Sequence, residues 1–202
     1  MGKNRFVRLT AIVLTMCVLC VAPASAATGA QGYAVFRDGV FTTYVWHAGM
    51  MYTSTSASYS VIQASGSGKT VGLVTWSTFM NSGSASNTFK GVYRPNQFIS
   101  SLTRDNAAAM ANQLKNLSLP YCLAQILQYS APVSNTWVGI TNLIAMRCDG
   151  VVEWCYEYLG YTIYGGTDWD ISRNLPQNQV AHLTEMPQTQ AGVMTKVQSS
   201  IP

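Results

Sequence analysis

Three side chains in this 202-residue chain have the types that acyl-transfer chemistry uses, in the order His47, Gln63, Cys148. Cys148 follows Arg147 at the start of Arg147 to Leu159, the clearest helical segment. There Val151, Val152, Cys155 and Leu159 recur at helical spacing and Gly160 stops the helix. A helix N-terminus carries partial positive charge and unbonded N–H groups, both of which favour a thiolate, the nucleophilic form. Gly150, two residues on, leaves room near the sulfur. His47 sits in a strand-like run, Val45 to Tyr52, and small neighbours follow it, so a group can approach its ring. A neutral imidazole beside a thiol takes its proton and later returns it to the leaving group. Gln63, in Val61-Ile62-Gln63-Ala64-Ser65, belongs to the strand expected to pair with that of His47. Its amide oxygen can accept the imidazole N–H and hold the ring, though a neutral amide stabilises an imidazolium less than a carboxylate does. Each residue also has a plainer reading. These are an inert buried cysteine, a half-buried strand histidine bonded to a carbonyl, and a glutamine on an exposed strand face.

Rival chemistries have less behind them. His182 would give a Cys-then-His order, but it lies in a polar, Pro-flanked tail. Gly66-Ser67-Gly68-Lys69-Thr70 imitates the end of a phosphate loop, yet lacks the spaced first glycine and falls between two strands. Two histidines and no Cys pair at metal spacing leave no zinc site, so no cofactor is expected. Asp168 and Asp170 read as solvated carboxylates rather than a weak calcium site. Trp46, Tyr52, Trp76, Tyr93 and Tyr121 are candidates for a cleft lining, with core as the alternative. Of these, Trp46 and Tyr121, together with Asp149 beside the thiol, are the expected substrate contacts.

The elements that must carry these groups form two halves. Strands are expected at Tyr33 to Phe36, within Phe41 to Tyr52, and at Tyr59 to Ala64, Val71 to Thr75 and Phe89 to Tyr93. A helical turn is expected at Trp76 to Met80, and a Ser/Gly-rich loop over Asn81 to Asn87. Helices follow: one capped by Thr103 and running to about Leu117, a shorter one over Tyr121 to Tyr129, and the Cys148 helix. Trp137 to Ile144 fits either state. Beyond Gly165 the polar, Pro-containing chain is expected to wrap the surface. Strands first and helices later, without alternation, predict an α+β fold with an antiparallel sheet packed against helices.

The first residues point to export. Lys3, Arg5 and Arg8 precede a 12-residue apolar run, Ala11 to Ala22, and Ala24-Ser25-Ala26 supplies a cleavage site. A spanning helix needs about 20 residues, so residues 1–26 read as a cleaved signal peptide and not as an anchor. Cys17 and Cys20 lack the small preceding residue that lipid attachment wants. The 176 residues left, 27–202, fit one domain with a sizeable core. Three of the twelve Lys+Arg lie in the signal. The remainder carry nine cations against eight acids, which excludes a basic nucleic-acid surface. Of the three remaining cysteines, Cys148 and Cys155 stand two helical turns apart, about 10.5 Å. That exceeds the roughly 7 Å a disulfide tolerates. A Cys122–Cys155 bridge stays open, and an odd count leaves at least one thiol unpaired.

Taken together, "WHAGMMY", "YSVIQASGSG", "VGLVTWSTFM", "GVYRPN" and "RCDGVVEWCYEYLG" resemble the circularly permuted branch of the NlpC-type papain-like cysteine peptidases. In the ordinary branch a "DCSGLV"-like cysteine segment comes first. Here the His and third-residue segments precede it. The resemblance covers roughly residues 32 to 160. It implies a papain-like fold, Cys148 as nucleophile with its own N–H as oxyanion donor, His47 as base and Gln63 as orienting residue. "GYAVFRDG" resembles the family's "GDIVF", with Tyr33 in place of the acid, and Asp149 stands where the family often has Ser. That carboxylate opposes the helix dipole, with Arg147 as possible compensation. The implied activity is hydrolysis of amide bonds outside the cytoplasm, with cell-wall peptides of peptidoglycan as the expected substrate. The alternatives are an acyltransferase or lipid-ester hydrolase acting on acylated small molecules, and a binding module without turnover.

Overall fold

The computed structural model describes residues 29–38, 45–58, 60–81, 87–130, 139–164 and 186–202. The proposed signal peptide, most of the Ser/Gly-rich loop, Trp137, Asp168, Asp170 and His182 lie outside them. Strands β1 (Ala34–Arg37), β2 (His47–Met51), β3 (Val61–Ala64), β4 (Val71–Val74), β5 (Phe89–Arg94) and β8 (Thr195–Gln198) form one sheet in the order β4-β3-β2-β1-β5-β8. Every pairing in it is antiparallel, so the α+β class follows as the sequence implied. All residues of β1, β2 and β3 are buried, because the sheet is covered on both faces.

Alternation along the strands divides the core in two. Ala34, Phe36, Ala48, Met50, Ile62 and Ala64 face α2 (Ser101–Asn116) and α3 (Cys148–Tyr158). Val35, Met51, Val61 and Val92 face Phe79 of α1 (Trp76–Asn81) on the other side. Helix α2 turns Ala107, Ala108, Ala111 and Leu114 inward, a small-residue stripe that brings it close to the sheet. Its cap is Ser100, whose hydroxyl accepts the Thr103 N–H at 3.1 Å, not Thr103 itself. Helix α3 is buried from Cys148 through Glu157 and ends at Gly160, whose φ of +86° suits glycine.

Two expectations are corrected. Tyr121 to Tyr129 is not a helix. Tyr121 bridges Met146, and β6 (Leu127–Tyr129) pairs with β7 (Leu143–Met146). The Pro120 carbonyl takes the Met146 N–H and the Ile126 carbonyl takes the Arg147 N–H, so pairing across the chain outcompetes a short apolar run's weak helical preference. A 3₁₀ turn at Ile140–Asn142 and β7 also settle the ambiguous stretch from Ile140 on. Second, the described part of the tail does not simply wrap the surface. After α4 (Pro187–Gly192), β8 pairs with β5 at one edge of the main sheet.

Gly150 has a different role from the one expected. A Cβ there would lie 2.1 Å from the Ile126 carbonyl oxygen. The residue lets α3 sink against main chain, and it does not clear space at the sulfur. Gly150→Ala should therefore cost about 1–3 kcal/mol or more by overpacking. Gly192→Ala, with nothing within 4 Å of the added carbon, should change stability by less than about 1 kcal/mol. Urea unfolding of the two variants reads the difference directly.

Candidate active site

Cys148 opens α3 because β7 runs straight into it through Arg147, which holds extended cap geometry (φ −89°, ψ 172°). The sulfur is 4% exposed and accepts the main-chain N–H groups of Ala48 and Asp149. Alternate N–H groups of β2 point to β1, as when Met51 N–H meets the Tyr33 carbonyl. Ala48 points the other way, toward β3, but the β2–β3 register stops at Met50↔Ile62. The sulfur thus takes the first N–H beyond the end of that register.

Burial first, and Asp149 second, push the Cys148 thiol up to about 12. This reverses the effect expected of the helix N-terminus, and the geometry gives the reason. The fully buried Asp149 carboxylate accepts its own N–H and that of Gly150. It also takes two guanidinium bonds from Arg147, Nε at 2.7 Å and Nη2 at 2.8 Å. The positive end of α3 is therefore answered by Asp149 before it can favour the sulfur. Burial pushes the Asp149 carboxyl up to about 6 against those donors, so it is ionised at neutral pH. Sealed behind Arg147, Asp149 does not line the cavity and is not placed to contact a substrate, contrary to the expectation.

His47 and Gln63 do come together. His47 Nε2 hydrogen-bonds Gln63 Oε1, so Nε2 carries the ring proton and Nδ1 is the free base. Both belong to the sheet face of Phe79, whose ring lies 5.6 Å from the imidazole. Gln63 is fully buried, which removes the exposed-glutamine reading. Its Nε2 finds no partner among the described residues. Burial, then the Arg37 cation, lower the His47 pKa to about 3, with the Gln63 bond opposing. Ring and sulfur make no direct hydrogen bond. They approach from opposite faces at the end of the β2–β3 register, one residue apart along β2 through Ala48.

A cavity of about 40 Å³ lies between them, lined by Val45, Trp46, His47, Tyr121, Leu123, Arg147, Cys148, Met186 and Pro187. Trp46 and Tyr121 are thus where substrate contacts were expected. Tyr93 packs edge-on against Phe36, and Trp76 against Phe79 and Phe89. Tyr52 lines a separate open groove of about 400 Å³ with Asp105 and Asn112. Sequence reasoning missed Arg37, 2% exposed, and Met186 and Pro187 at the cavity wall. The signal for Arg37 was a cation closing an otherwise apolar strand. The three described cysteines are free thiols, so Cys122 and Cys155 are not bridged. Among the described residues no group of three or more His, Cys, Asp and Glu could hold a metal, and no helix is long and apolar enough to cross a membrane. Comparison with family models, curated proteins and solved structures returns no match.

The buried neutral histidine sets a pH dependence. Its folded pKa, about 3, lies below the unfolded 6.5, so its contribution is complete above pH 6.5 and is lost as pH falls toward 3. The stability difference between wild type and His47→Gln should shrink across that window by up to about 1.4 kcal/mol per pH unit. Denaturant unfolding between pH 7 and pH 3 checks it, and a constant difference would contradict a buried neutral ring.

Proposed function

We propose that the chain is an exported cysteine hydrolase of the permuted NlpC-type, papain-like kind, with Cys148 as nucleophile, His47 as base and Gln63 as the residue orienting the ring. The observation that carries this is the His47–Gln63 bond. It leaves Nδ1 as the basic nitrogen of a ring whose strand neighbour, Ala48, binds the Cys148 sulfur. Two of the three residues singled out for one chemistry are hydrogen-bonded to each other, and His47 and Cys148 line one cavity.

The resting pair is thiol and neutral imidazole, since burial disfavours both charged forms. Attack on an acyl carbonyl then requires the thiol proton to pass to Nδ1 as the C–S bond forms. His47 gives that proton to the leaving amine or alcohol, and water releases the acyl group from sulfur. The Cys148 N–H, first in α3, is the natural oxyanion donor. Val45, Trp46, Leu123, Met186 and Pro187 give the cavity an apolar wall. That composition favours an acyl group with apolar character, and so brings acyl esters into view beside cell-wall peptides. A second reading, a non-catalytic extracellular module on the same fold, is favoured by the small cavity and the raised thiol pKa.

Mass spectrometry of the mature chain incubated with p-nitrophenyl acyl esters and amide-capped peptides decides between these readings. The hydrolase reading expects an acyl adduct on Cys148, absent in Cys148→Ala. It also expects turnover to fall about 10²–10⁴-fold in His47→Ala, with a smaller loss in Gln63→Ala. No adduct with either substrate class in the folded protein would favour the binding module. Ester turnover without amide turnover would select the esterase or acyltransferase form.

A further inference from the structure

Arg37 stands directly opposite His47 in the β1–β2 register, and both side chains are almost wholly buried. We propose that Arg37 is a positioning residue of the cysteine centre, whose buried cation keeps His47 in its unprotonated, proton-accepting form. The proposal takes its significance from the hydrolase reading but rests on its own geometry.

Directly opposed residues of an antiparallel pair have Cβ atoms about 4.5–5.5 Å apart, and like charges so placed repel. An imidazolium at His47, which is almost wholly buried, would meet that repulsion with little solvent screening. Phe79 fixes the arrangement, for its ring centroid lies 5.6 Å from the His47 ring and 5.6 Å from the Arg37 guanidinium carbon. The guanidinium is held further by Nη1, which donates to the Asp38 main-chain oxygen at 2.9 Å. The Asp38 carboxylate faces elsewhere, toward Lys90 Nζ at 2.7 Å and the Thr88 N–H at 2.6 Å. Burial lowers the Arg37 pKa only to about 10, so the cation persists at neutral pH.

The other groups around His47 do not replace this charge. From β3 it meets the neutral Gln63, and from α1 the apolar Phe79. Helix α3 brings Cys148 and Asp149, the latter ion-paired with Arg147, and Tyr121 closes the cavity. None of the residues of α4 titrates. A proton leaving Cys148 therefore does not rest on the ring. It stays on sulfur until attack, and His47 holds it only in passage to the leaving group.

The test uses full mature chain with ¹⁵N-labelled histidine in a His182→Gln background, leaving His47 as the single ring signal. Arg37→Met should raise the His47 titration midpoint by about one pH unit or more, and Arg37→Lys should restore most of the wild-type value. A merely structural role would lower stability and leave the His47 midpoint in place, so an unchanged midpoint in folded Arg37→Met overturns the proposal. If Arg37→Met does not fold, the wild-type signal still decides. A ring titrating near 6.5 overturns the proposal, whereas a ring neutral well below that, with its midpoint raised in Arg37→Gln, upholds it. A shifted His47 midpoint without any acyl adduct on Cys148 would retire the hydrolase reading and keep the electrostatic role of Arg37.

Discussion

The first turn of α3 is sunk so far into the protein that none of its polar groups can rely on water. Gly150 lies against the Ile126 main chain, Gln190 Nε2 reaches the Asp149 carbonyl at 3.0 Å, and Asp149 itself is fully buried. A helix N-terminus has N–H groups without helical partners, and burial makes each of them costly unless something accepts it. The Asp149 carboxylate and the Cys148 sulfur are what accept them. A buried carboxylate then needs its own counter-ion, which Arg147 supplies from the cap position. Sulfur, carboxylate and guanidinium are thus consequences of one packing decision.

The same constraint explains why the thiol is not activated at rest. A helix N-terminus favours a thiolate when its N–H groups and partial charge face the sulfur. Here the carboxylate of the next residue, Asp149, answers that charge, and burial does the rest. In the proposed hydrolase, activation is left to the other face of the sheet, where Gln63 bonds His47 and Arg37 stands across the strand from it. The two halves of the site come from opposite sheet faces and meet only where the β2–β3 register ends. A ladder continued two residues further, to Ala48, would have used the Ala48 N–H and closed the gap.

Much of this was legible because short-range rules operate there. The strands around His47 and Gln63 followed from β-branched and aromatic runs between turn residues, and α3 from its spacing and its terminal glycine. What was misread turned either on partners distant in sequence or on burial that a local pattern does not show. The run from Tyr121 to Tyr129 lost its helix to β7. Thr103 yielded the cap to Ser100, one short step in register. Asp149 looked like a charge at the mouth of a cleft and is an internal ion pair. Gly150 looked like open space and is the tightest contact α3 makes with Ile126.

By itself the sequence determined which residues could do chemistry, which elements would bear them, and that strands would gather into an antiparallel sheet beside helices. Those are matters of side-chain type and local periodicity, and both are written along the chain. Only the tertiary structure decided the protonation states. They depend on burial, on Arg37 opposite His47, and on Asp149 being sealed with Arg147. Each of these is a field set by groups brought together from separate elements, and no local pattern encodes it.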